Sequence, residues 1–403
     1  MEKVRIVVIG AGAVGLATAL ELSTSDRYDV TVLDRQHIAE GSSSRSVGII
    51  ETQYVDEFDI RVRAFGLRYA RDLAQRAGLQ LIVNGYLRLA ESDQTMAAFA
   101  LSVERQHQQG IDDARLLTRA EIAELIPFLN MSDRVGGLLG PSDGYVDGHL
   151  FAHVMADLAR QNGVRIRQRT KLLKASWSGS GAVELSTDRG DFTADYVVNA
   201  AGAWAGQVAD VLGAPVAMHP QRHQAVTVIL DEPFPRLWPS VMDYVPGSGR
   251  TGLYLRPEGD RRLFAGLHSE EAFHGTVDPD DYSVATDAGF VEQIAEALDI
   301  RLSGLDTARL GQGWAGLFPT SFDAQPVIGP HPDNPHVLCA VGGGGNGIQL
   351  APAIGRTVRE YLDAVRPSLA GPGTKWDPAR MAGNATAAPL SRHRHPDSIR
   401  RFT

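Results

Sequence analysis

The residues Gly10-Ala-Gly12-Ala13-Val14-Gly15 have the types and spacing needed to hold a pyrophosphate. Glycines at these positions allow a tight turn, close approach of backbone to phosphate oxygens, and close packing of the element that follows. The flanks agree. Val4 to Ile9 is apolar on both faces and too short for a helix, so it reads as a buried parallel strand. Val14 to Ser23 reads as a helix whose positive N-terminus faces the phosphates. A second apolar run, Val30 to Leu33, ends in Asp34, whose carboxylate can accept hydrogen bonds from ribose hydroxyls. Strand, glycines, helix, strand and acid in register point to a dinucleotide site, where the glycines alone would be weak.

Other segments can serve the same ligand. Gly41-Ser42-Ser43-Ser44-Arg45-Ser46 offers small hydroxyls and a cation to a pyrophosphate. Asp195 to Trp204 reads as a strand ending in small residues, Ala201 and Gly202 among them, that let backbone approach a nucleotide. Gly313-Trp314-Ala-Gly316 precedes Asp323 to Gly329, and Gly344-Gly345-Asn346-Gly347 opens a helix from about Gln349 to Val365. A glycine run that opens a helix presents unpaired N–H groups and a positive helix end, a place for negative charge.

The elements that must position these groups follow from periodicity. Helices are expected at Glu57 to Ala77, Met96 to Gln109, Leu150 to Gln161 and Asp287 to Leu298. Arg165 to Gln168, Leu172 to Ser178, Ala182 to Thr187 and Phe192 to Val198 read as strands of a small antiparallel unit returning to the main sheet. Residues 220 to 270 alternate apolar and polar, with turn signals at Pro246-Gly247 and Pro257-Glu-Gly259, as in a sheet with one covered face. The tail after Pro367 reads as a surface-wrapping or poorly ordered extension.

Composition sets the limits. The chain has 403 residues, 43% hydrophobic, enough for a large core and two domains. A net charge of −9 gives no reason to expect nucleic acid or an anionic membrane as partner. No apolar stretch is long enough to span a bilayer and no leader pattern precedes the first strand, so a cytoplasmic protein is expected. The single cysteine, Cys339, lies in an apolar run and reads as a buried hydrophobe. His149, His219, His223 and His268 lie in or near pocket-forming segments, without metal-ligand spacing.

In order and separation, these segments resemble the D-amino-acid oxidase superfamily of FAD enzymes, closest in look to the sarcosine oxidases of β-subunit type and to glycine oxidase. The resemblance covers nearly the whole chain to about residue 365. It implies an α/β fold, with a Rossmann-type FAD-binding domain (1–80, 145–215 and 310–366) interleaved with an α+β substrate domain built on a mixed or antiparallel sheet (81–144 and 216–309). Residues 367–403 would form a C-terminal extension. It also implies that Arg35 and Leu172 join the FAD-binding residues already named. A Cys carries the flavin in monomeric sarcosine oxidases. Gly316 stands at that place here, so the FAD is expected to be non-covalent.

The implied reaction is oxidation of the C–N bond of an amine or amino acid. A hydride passes to flavin N5, the imine hydrolyses, and O2 (giving H2O2) or another acceptor takes the electrons. A homo-oligomer, or a subunit of a larger oxidoreductase, fits the resemblance. Two rivals stay open: a 2-hydroxy-acid dehydrogenase using His223 or His149 as base, and a flavoprotein subunit or assembly factor without turnover.

Departures from the family pattern bear on the substrate. Glu51 and Gln349 stand where the sarcosine oxidases hold the substrate carboxylate with cations. Either Arg256 with Tyr254 supplies the clamp from the sheet above the flavin, or Glu51 receives a cationic group. Trp314, Tyr254 and the Ile49-Ile50 region would shape an apolar pocket, with His223 as a further polar candidate. Phe264 takes the place of the oxidases' oxygen-promoting Lys, and no Lys occurs between Lys174 and Lys375.

Overall fold

The computed structural model describes residues 2–179, 181–234, 236–244, 251–268, 275–304 and 307–381. The Pro246-Gly247 turn and the tail beyond Met381 lie outside them. Two large sheets organise the chain. The first has six strands in the order Val327–His331, Asn334–Val341, Tyr196–Asn199, Val4–Ile9, Tyr28–Leu33, Arg165–Arg167. All neighbours are parallel except the edge strand Val327–His331. Such a sheet is Rossmann-type. Helices cover one face, and a three-stranded antiparallel sheet (Leu172–Trp177, Val183–Thr187, Gly190–Ala194) with one helix covers the other. The central strands are therefore apolar on both faces: Ile6, Val8, Val30 and Val32 pack in one core, Val7 and Leu33 in another.

Register decides where a ligand can sit. Ile9 pairs with Leu33 on one side and Asn199 on the other, so the chain leaves three adjacent strands side by side at Gly10, Asp34 and Ala200. From the first strand the order runs outward in both directions, and ligands of such sheets bind at this reversal, beyond the carboxyl ends.

The second sheet has eight strands in the order Arg309–Phe318, Gln221–Ile229, Arg262–His268, Gly252–Pro257, Ser240–Met242, Tyr86–Ala90, Gly136–Gly140, Arg115–Thr118. It is mixed, with Ser240–Met242 and Tyr86–Ala90 parallel. Period-two alternation splits its faces. Leu87, Leu89, Leu253 and Leu255 join Phe290, Ile294 and Leu298 of the helix Ala288–Arg301 in one core. Tyr86, Arg88 and Tyr254, at the alternate positions, turn to the opposite face and line a cavity.

The segment 310–366, expected in the FAD-binding unit, divides here: Arg309–Phe318 hydrogen-bonds to Gln221–Ile229 in the eight-stranded sheet. The expected strand Phe192 to Val198 is likewise two strands, Gly190–Ala194 in a hairpin sheet and Tyr196–Asn199 in the parallel sheet. The break is at Asp195, whose carboxylate accepts from the Arg5 backbone N–H (2.8 Å) and guanidinium (2.6 Å).

The start of the tail is not loose. Trp376 is 1% exposed and meets Phe58 edge-on at 5.3 Å, while Lys375 Nζ lies 3.0 Å from Asp59. Among the described residues no helix is long and apolar enough to cross a membrane.

Candidate active site

One continuous cavity of about 1190 Å3 runs from the Gly10 turn to the inner face of the eight-stranded sheet. That exceeds the roughly 300–1,000 Å3 of ordinary small-molecule sites, as a dinucleotide plus a substrate would require. At the parallel-sheet end it is lined by Gly10, Gly12, Ala13, Val14, Asp34, Arg35, Ser42, Ser43, Arg45, Ser46, Leu172, Ala201, Gly202 and Trp204, all named from the sequence. Gly15 is not in the lining. A Cβ there would stand 1.9 Å from Gly10 O, so its role is close packing of helix on turn. Gly10 itself has φ +113°, and a Cβ would meet Ala200 O at 2.4 Å.

The helix Ala13–Ser23 begins at Gly12 without a side-chain cap. Its N-terminal N–H groups therefore face the cavity with little protein competition: Ser43 Oγ accepts from Ala13 N at 3.0 Å. Asp34 accepts from Ala11 N (2.6 Å) and Gln36 N (2.7 Å), bracing the turn, and burial pushes its carboxyl upward. Arg45 Nη1 donates to the Glu40 and Gly41 carbonyls, which shapes the 41–46 turn. Gly316 packs against it, with room for a Cβ only 3.0 Å from Arg45 Cβ.

The glycine run forms a second uncapped helix start. Gly344–Asn346 is one 3-10 turn, and Gly347–Leu362 follows with no side-chain cap and no acid in its first turn. Gly344, Gly345, Asn346 and Gly347 all line the cavity. Two positive helix ends thus face one cavity from two directions.

At the far end the lining includes Glu51, His223, Tyr254, Trp314 and Gln349. Gln349 is 3% exposed and braces its neighbours: Oε1 accepts from Glu51 N (3.0 Å) and Nε2 donates to Asn346 Oδ1 (3.0 Å). Glu51, 4% exposed, accepts from Gln53 N at 2.7 Å and lies 4.0 Å from the Arg88 guanidinium. Trp314 Nε1 donates to Arg45 O (2.9 Å), fixing its ring against the cavity. His223 stacks on Phe318, centroids 3.6 Å apart, and burial with nearby His268 pushes its imidazole down to about 3, so it is neutral near pH 7. Burial likewise pushes the Tyr254 hydroxyl upward and keeps it protonated.

Arg256 is the main correction. It shares a strand face with Tyr254 but lies outside the cavity lining. Glu258 pairs with its guanidinium, which stacks 4.0 Å over Tyr145 and 4.5 Å over Phe264. Phe264 is also outside the lining, packed edge-on to Trp314 at 5.0 Å. His149 is exposed beside His153, away from the cavity.

Three cations that the motif reading missed line the cavity: exposed Lys171, and the buried Arg63 and Arg88. Arg63 pairs with Asp59 (3.1 Å) on its own helix and lies 3.6 Å over the Tyr54 ring. Arg88 sits within Tyr86-Leu-Arg-Leu-Ala90, where every residue is buried. A cation inside a short, otherwise apolar strand was the available signal.

The sequence pattern of the FAD dependent oxidoreductase family, DAO, matches residues 5–361. The chain is a member of that family. Among its relatives is glycine oxidase of Geobacillus kaustophilus (strain HTA426), 26% identical over 370 residues, covering 89% of this chain and 92% of the relative. Mitochondrial dimethylglycine dehydrogenase of Rattus norvegicus is 25% identical over 378 residues, but this chain spans only 43% of that protein. Of solved structures, L-proline dehydrogenase from P. horikoshii superposes with a TM-score of 0.83 at 26% identity, covering 95% of this chain and 98% of that one. This FAD-dependent oxidoreductase has a cavity whose turn, helix ends and length suit a dinucleotide. Cys339 is buried in strand Asn334–Val341, outside the cavity lining, and its thiol is pushed up to about 12, so no thiolate stands ready for attachment.

Proposed function

We propose that this FAD-dependent oxidoreductase oxidises the C–N bond of a compact amino acid or N-alkyl amino acid. Arg88 would hold the carboxylate, and the FAD would be non-covalent. The supporting observation is the single cavity joining the Gly10 turn to a buried guanidinium, Arg88, on the inner face of the eight-stranded sheet. When bound, FAD supplies the acceptor for the hydride equivalent that leaves the α-carbon.

The chain's own contribution is binding and electrostatics. Arg88 offers a fork of donors matched to a carboxylate. Neutral Tyr254 and His223 give the amine polar neighbours without a counter-charge, which favours its unprotonated form. The uncapped turn Gly344–Gly347 offers N–H groups to negative charge developing on the cofactor. Glu51 already has Arg88 as partner, which argues against a second cation on the substrate.

The rival hydroxy-acid reading needs a base at the hydroxyl. A histidine at about 3 is a weak one, and His149 lies outside the cavity, so amine chemistry is favoured. Anaerobic titration of the holoenzyme decides between them. Bleaching of the flavin band by N-alkyl or α-amino acids supports the proposal. Bleaching by 2-hydroxy acids alone contradicts it, and an unreactive flavin points to the subunit role.

A further inference from the structure

Residues 277–287 cross from the eight-stranded sheet to the helix Ala288–Arg301 as an irregular strap. Both ends are fastened to that sheet or its approach: Val277 N donates to Pro220 O (2.8 Å), and Ala315 N donates to Val284 O (2.8 Å). Arg222 of strand Gln221–Ile229 adds bonds to the Ser283 and Ala285 carbonyls. The middle of the strap grips the other half of the molecule. The Asp280 carboxylate accepts from Arg35 (2.6 Å), Trp204 Nε1 (2.9 Å) and Gln207 Nε2 (3.1 Å).

The origin of these donors matters. Arg35 directly follows Asp34, and Trp204 and Gln207 lie just beyond the adjacent parallel strand Tyr196–Asn199. All three donors line the cavity, whereas Asp280 does not. The Arg35 guanidinium lies 4.9 Å over the Trp204 ring, and that ring in turn rests on Gly41, where a Cβ would be 3.4 Å away. Three separate segments, 35–41, 204–207 and the strap, meet at the cavity rim beside the ribose-side acid.

We propose that Asp280 is a cofactor-retention residue. The strap latches the eight-stranded sheet to the parallel-sheet half across the nucleotide end of the cleft, and FAD leaves when the Asp280 contacts open. This rests on the FAD reading of the cavity. The energetics suit a latch better than a structural rivet. The Arg35 and Asp280 side chains are 31% and 43% exposed, so water replaces their bonds at modest cost when they part. With both strap ends still fastened, opening needs no unfolding of either sheet.

The test is the rate of FAD release, read as the rise of free flavin fluorescence after dilution of the holoenzyme. For Asp280→Ala, release is expected to be faster by on the order of fivefold or more. In the unaltered protein the rate should rise with salt as this exposed pair is screened, and in Asp280→Asn the salt response should largely vanish. The apoprotein melting temperatures of all three should coincide. Unchanged release in Asp280→Ala overturns the latch. So does faster release matched by a lower apoprotein melting temperature, since that marks a structural role only. If the unaltered protein holds no FAD, the cofactor reading itself fails and the latch with it.

Discussion

Removing the Arg88 guanidinium should cost activity only on substrates that carry a carboxylate. Arg88→Met keeps much of the aliphatic stem and deletes the donors. A hydrogen bond to a charged group is worth roughly 1.5–3 kcal/mol. At about 1.36 kcal/mol per decade, that is a loss of about 12- to 160-fold in kcat/KM. The surroundings complicate the single variant, because Glu51 lies 4.0 Å away and is itself buried. Stranding its charge would cost roughly 3–5 kcal/mol of stability. The variant to use is therefore Glu51→Gln with Arg88→Met, which removes both charges and keeps an acceptor for Gln53 N. The assay compares kcat/KM for an N-methyl amino acid with that for the same amine lacking its carboxylate. The double variant should lose the first activity by the stated factor and change the second by less than about threefold. Equal losses on both substrates, or no loss on either, would refute the assignment.

Other expectations follow from single observations. Gly10→Ala forces a side chain into a positive-φ turn and against Ala200 O, so the purified protein should contain little FAD; a full complement of flavin would contradict the cradle. His223 binds its proton less well folded (about 3) than unfolded (~6.5), so its contribution to stability falls as pH drops from 6.5 towards 3. The slope approaches about 1.4 kcal/mol per pH unit, and His223→Gln should reduce it in urea titrations of the apoprotein. Trp376→Ala opens a cavity beside Phe58 and should destabilise by about 3–5 kcal/mol in the same assay, whereas a loss below about 1 kcal/mol would mean the tail packs only loosely.

Much of the nucleotide half was legible because its signals are local. Glycine spacing, an apolar strand and a following acid lie within one βαβ unit, and backbone sterics leave few other uses for them. The glycine run before the last helix was readable for the same reason. The substrate end was not, because its residues converge from strands far apart in sequence. Arg256 and Arg88 each sit in a short apolar strand, and only the tertiary neighbours tell which one reaches the cavity. Arg256 lies opposite Phe264 and beside Tyr145, whereas Arg88 neighbours Glu51 from the turn after Ile50. Asp280 gave no local sign at all: its donors stand 73 or more positions away in the chain. The tail read as surface-wrapping or poorly ordered, and its Gly- and Pro-rich composition gave no sign that Trp376 is a buried aromatic anchor.

The most direct check of the account is the flavin content of the purified protein after acid precipitation. The structure predicts a yellow protein that releases one FAD per chain into the supernatant and leaves a colourless pellet. A colourless starting protein that cannot be reconstituted, or a flavin that stays with the pellet, would contradict it.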